Sequence, residues 1–147
     1  MRVESVVDPV ALRDARLRRG LTQHELARLI DVAGGERISR WELGSSAPRP
    51  EILQRLALAL NVGAADLLEA GGPADLRRLR MAAGLSARTL AVRAHMSVPT
   101  YVRWESGRIK RVPVKQTLKP LAKALNVTVE DVESAIVTAR ANARQAD

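Results

Sequence analysis

Apolar residues recur along this chain at helical rather than strand spacing. Leu12, Ala15 and Leu17, then Leu26, Leu29 and Ile30, follow the three-to-four-residue period of amphipathic helices, and strict apolar–polar alternation is nearly absent. The expected class is all-α. Helix punctuation agrees. Thr22-Gln23-His24-Glu25 reads as a capping box, in which the Thr oxygen accepts an orphan amide and the Glu reaches back. Gly20 suits the left-handed residue that ends a preceding helix. Ser97 suits an N-cap, and Pro99 then falls in the first turn, where a missing N–H costs little. Thr117 is expected to cap a further helix, because that places Pro120 in a first turn. Thr128-Val129-Glu130-Asp131 opens a last helix with Val129, Val132 and Ile136 on one face. It is expected to run to about Ala143, longer than its counterpart near Ala64–Ala70.

The pattern occurs twice. Leu12-Arg13, Gly20-Leu21-Thr22 and Leu26-Ala27 return 64 residues later as Leu76-Arg77, Gly84-Leu85-Ser86 and Leu90-Ala91. Trp41-Glu42-x-Gly44 returns as Trp104-Glu105-x-Gly107, and Ala59-Leu60-Asn61-Val62 as Ala124-Leu125-Asn126-Val127. So many matches in one order mark a duplicated unit. The expected organisation is an N-terminal extension (1–9), a first domain (10–69), a turn-rich linker (70–74), a second domain (75–133) and a C-terminal extension of the last helix (134–147).

Composition narrows the chemistry. The 147 residues include no Cys and two His, which leaves no disulfide framework and no thiolate or His-rich metal cage. Neither a metal nor another cofactor is expected. Trp41, Tyr101 and Trp104 are too few to build a stacking platform for single strands, and a core-packing role is expected for both Trp. No uncharged stretch approaches the roughly 20 residues of a membrane span, so a cytoplasmic protein with no membrane partner is expected. The net charge is +8, and all of it falls in residues 74–147. Such an excess favours a polyanionic partner, above all nucleic acid.

An ordered set, Gly-Leu-Thr-x-x-Glu-Leu-Ala followed by Ile-Ser-x-Trp-Glu-x-Gly and Leu-Ala-x-x-Leu-x-Val, complete in the first unit and matched at most of its positions in the second, resembles the Xre/Cro-type helix-turn-helix family that includes the lambdoid phage repressors. The resemblance covers most of the chain. It implies two tandem five-helix domains of the lambda-repressor-like type, with double-stranded DNA as partner and no catalytic residues. It also implies a helix-turn-helix in each, whose third helix lies in the major groove. In the first domain those helices map to about 22–30 and 35–43; in the second, to 86–94 and 98–106. The base-facing positions of the family carry over to Gly35, Glu36, Arg37 and Arg40, and to Val98, Pro99, Thr100 and Arg103. Arginine suits guanine, because its fork meets O6 and N7 together.

Backbone contacts carry over to the starts of the second helices, Thr22 and Gln23 in one domain and Ser86 in the other, where amides and dipole favour an anion. The second domain has Ala87 in place of Gln23. It has instead Gly107-Arg108-Ile109-Lys110-Arg111-Val112-Pro113, which resembles the basic loop with which phage repressors grip the backbone, followed by Lys115. The first domain has Ser45-Ser46-Ala47-Pro48 there. Arg16 with Glu42, and Arg80 with Glu105, fall where the family places a structural ion pair. A sequence-specific regulator, a repressor reading two half-sites with two headpieces, is therefore the leading expectation. It would associate with the nucleoid through DNA. The alternative is an antitoxin-like protein in which the first domain, or the C-terminal helix, binds a protein partner or a second copy, and only the second domain reads DNA.

Overall fold

In the computed structural model, which describes residues 5–71 and 74–146, the helical spacing becomes nine α-helices and one 3₁₀ turn. They divide into two compact units with the boundary between residues 72 and 73. Gly72 and Pro73 of the linker, like residues 1–4 and Asp147, lie outside the described residues.

Unit 1 begins with α1 (Pro9–Arg18), whose N-cap Asp8 accepts the amides of Val10 and Ala11. Gly20 follows it at φ +69°. The Thr22–Glu25 capping box then opens α2 (Gln23–Leu29), with both reciprocal bonds formed at 3.0 Å. Next come α3 (Gly35–Leu43), closed by left-handed Gly44, and α4 (Pro50–Leu60), closed by left-handed Asn61. The fifth element is a 3₁₀ turn, Ala64–Leu67, rather than an α-helix. The segment before α1 belongs to the same body. Val7 bridges Leu68 in antiparallel fashion, Asp8 N–H donates to the Leu67 carbonyl at 2.9 Å, and Glu69 N–H donates to the Val6 carbonyl at 2.7 Å.

Unit 2 repeats the order as α5 (Leu76–Ala82), α6 (Ala87–Arg93), α7 (Val98–Ser106), α8 (Lys115–Leu125) and α9 (Val129–Ala146). Ser86 and Ser97 cap α6 and α7 through their hydroxyls. Leu76, Leu90, Tyr101, Leu118, Val132 and Ile136 are fully buried and form one core. Removing a Leu-sized side chain from water contributes about 2 kcal/mol, so these positions, rather than helix propensity, hold seven-residue helices together.

Two expected helix bounds need correction. Thr117 does not cap α8: the helix starts at Lys115, with Val114 as N-cap, and Pro120 lies inside it. Pro120 gives up the bond to the Gln116 carbonyl, but buried Leu118 and Leu121 on either side anchor the helix to the core. Both Trp pack on a core as expected, Trp41 buried (4% exposed) and Trp104 half-buried against the core of unit 2. The aromatic that fills the second core is Tyr101, at the position Ile38 occupies in unit 1. The last helix passes Ala143 and continues to Ala146.

Candidate nucleic-acid interface

Each unit fixes its third helix with an arginine–glutamate fork. Arg16 on α1 donates to both Glu42 oxygens on α3, at 2.6 and 2.9 Å, and its remaining nitrogen donates to the Leu21 carbonyl at 2.9 Å. Glu42 also accepts Gln23 Nε2 at 3.1 Å, so one carboxylate ties α1, α2 and α3 together. Arg80 on α5 makes the same fork to Glu105 on α7, both contacts at 2.9 Å, and donates to the Leu85 carbonyl at 3.1 Å. Bidentate pairing of this kind adds orientation as well as energy. The Glu42 hydrogen bond raises the Arg16 pKa. Burial works against ionised Glu105, yet the hydrogen bond and charge of Arg80 outweigh it and hold the carboxyl below its ordinary value. The Tyr101 hydroxyl, buried next to this pair, is pushed well above the ordinary phenol range by desolvation and then by the Glu105 charge.

With the inner face of the helix so held, its other face is set. On α3, Glu36, Arg37 and Arg40 are exposed; Arg40 stands 3.9 Å from Glu36 one turn earlier, and the Arg37 guanidinium lies 5.9 Å from the Trp41 ring centre. On α7, Pro99 and Arg103 are exposed. Thr100 is half-buried, with its hydroxyl 2.8 Å from the Ser97 hydroxyl and 3.4 Å from an Arg103 nitrogen. Gly35 and Val98 are different. A Cβ on Gly35 would lie 3.1 Å from His24 N, so this glycine lets α3 start against α2. Val98 packs on the core. Gly35 thus offers no side chain, and Val98 is half-buried.

The flanking residues divide similarly. Thr22 is exposed but committed to its capping box, and the Ser86 hydroxyl to Thr89. Gln23 is half-buried and held by Glu42. Lys115 lies 3.6 Å from Glu130. Arg108, Lys110 and Arg111 are exposed, and among the described residues no carboxylate lies within ion-pair distance of them. Their loop has a support that sequence reasoning missed: Arg140 on α9 donates to the Lys110 carbonyl at 2.7 Å. A Cβ on Gly107, where the loop begins, would strike the Ala139 carbonyl oxygen, so α9 lies directly against the loop's first residue. A contact across 30 residues between a helix and a loop carbonyl leaves no local signal. Tyr101 did have one, in its alignment with Ile38.

The comparisons agree with this arrangement. A family model described as helix-turn-helix matches residues 12–67, and one described as helix-turn-helix domain matches residues 74–135. No curated protein and no solved structure matches the chain. The chain belongs to the helix-turn-helix family, as an Xre-like tandem pair, and is a DNA-binding regulator. Proteins of this kind are typically not enzymes. Among the described residues, no helix is long and apolar enough to cross a membrane.

Proposed function

We propose that this chain represses transcription by occupying an asymmetric duplex site, reading two major-groove half-sites with two unlike recognition helices. The observation that carries this reading is the pair of third helices, each locked from behind by a partly buried Arg–Glu fork and each presenting outward arginine: Arg37 and Arg40 on α3, Arg103 on α7. Arginine forks discriminate guanine by about 1–3 kcal/mol per good contact. The two faces differ chemically, Glu36 beside Arg40 against Thr100 beside Arg103, which favours two different half-sites. Arg108, Lys110 and Arg111 serve as backbone contacts of the second.

Selection of bound sequences from a random duplex pool tests this. Two dissimilar motifs at a constant spacing are expected, with enrichment of one motif abolished by Arg37→Gln/Arg40→Gln and of the other by Arg103→Gln; a single motif indifferent to unit 1 would overturn it. That second outcome is the prediction of the other reading, in which unit 1 docks a protein. Leu43, at the end of α3, is 74% exposed, and it favours this reading as a partner contact.

A further inference from the structure

The C-terminal end of α6 and one face of α8 enclose an open cleft of about 600 Å³. Arg93, His95, Lys119 and Lys123 line it, over a floor of Pro120 and Ala124. The four basic side chains are exposed, and no carboxylate among the described residues pairs with them. Lys119 and Lys123 stand one helical turn apart, where like charges repel. The fold itself does not ask for this arrangement. The corresponding positions of unit 1 are Leu29, Asp31, Gln54 and Leu58, in the same elements and with the same left-handed backbone at Asp31 (φ 58°) and His95 (φ 57°). Unit 2 alone gathers cations there, at a cost in repulsion that an anion would relieve. A second cleft of about 400 Å³ shares His95 and Pro120 and reaches Thr100 on the recognition helix, so the basic cleft adjoins the reading face.

We propose that this cleft is a second phosphate-binding surface of unit 2, which holds the backbone of the duplex flanking the half-site read by α7. The proposal rests on the DNA-binding reading above. An open cleft ringed by cations fits a polyanion running through it better than a small enclosed anion.

The test compares the full chain, Lys119→Gln/Lys123→Gln and a charge-matched control, Arg13→Gln/Arg18→Gln on exposed α1 positions, on duplexes of about 40 and about 15 base pairs that both carry the unit 2 motif. On the longer duplex the cleft variant is expected to lower the slope of log K against log salt by up to about 1.8, roughly 30-fold in affinity at 0.15 M salt, while the control changes far less. On the shorter duplex its loss should be small. His95 ring-proton resonances should move when the longer duplex is added and stay in place with the shorter one. If the wild-type chain binds both duplexes and the cleft variant matches the control, the cleft is not a DNA surface. Equal loss on both lengths would place the lysines within the half-site and overturn the flanking assignment. Absence of wild-type binding to either duplex would instead overturn the DNA reading itself, and this proposal with it.

Discussion

Arg80 and Glu105 show what a partly buried charge costs and what it supplies. Their side chains are only 11% and 18% exposed, so removing one partner leaves the other desolvated and unpaired. Arg80→Ala should therefore destabilise unit 2 by about 3 kcal/mol, whereas Arg80→Met/Glu105→Leu should recover most of that loss. The residual deficit, about 1 kcal/mol, belongs to the Leu85 carbonyl, which also loses Arg80. Urea unfolding followed by Trp104 fluorescence in a Trp41→Phe background isolates the unit. The same pair sets a pH dependence. The folded Glu105 carboxyl sits below its ordinary 4.5, so the folded state binds fewer protons than the unfolded one there. Its contribution is complete above about pH 4.5 and is lost as pH falls through the depressed value. The wild-type midpoint should drop on the acid side of pH 4.5, and the drop should be smaller in Arg80→Met/Glu105→Leu. An equal drop in both would show that Glu105 does not govern it.

Helices and loops extend the argument beyond single residues, and α9 is the element that matters most. Its last turns lie against Gly107 and hold the Lys110 carbonyl through Arg140, so the basic loop is shaped from outside itself. Arg140→Gln should leave unit 2 folded but weaken duplex binding several-fold, while Arg140→Lys restores part of it; a filter-binding titration at fixed salt separates the two. Gly107→Ala should be worse. A Cβ at φ +77° is strained by about 1–2 kcal/mol, and it would strike the Ala139 carbonyl, so the thermal midpoint of unit 2 should fall and α9 amides should exchange faster. The helices themselves were readable because their signals are local. The capping box at Thr22 marked the start of α2 and the serine cap at Ser97 the start of α7, while the bounds of both recognition helices came with the family resemblance and match those observed. Pro120 misled because core burial of Leu118 and Leu121 outweighs one missing hydrogen bond. The pairing of Val6 and Val7 with residues 68–69 and the Arg140 contact stayed hidden because each joins segments far apart in sequence with no periodicity to announce it.

At the scale of the whole molecule, the question is what one chain with two headpieces gains over two separate ones. The joint, Ala70 to Ala74, is five residues long and can span at most about 17 Å, so binding by one unit holds the other at high effective concentration near the same duplex. The charge division predicts an unequal gain: if unit 2, with all of the net +8, supplies the electrostatic affinity, neutral unit 1 gains most from being tethered. Lengthening the joint should expose this. Ten Gly/Ser residues inserted between Gly71 and Gly72 triple its length, and effective concentration falls as about the −3/2 power of length, so affinity for the selected two-motif site should weaken about 5-fold. Affinity for a duplex carrying only the unit 2 motif should stay unchanged, because that contact does not use the tether. Equal affinity of the lengthened and natural chains for the two-motif site would mean that unit 1 adds nothing on DNA, leaving its exposed Leu29, Leu43 and Leu58 as the surface to pursue.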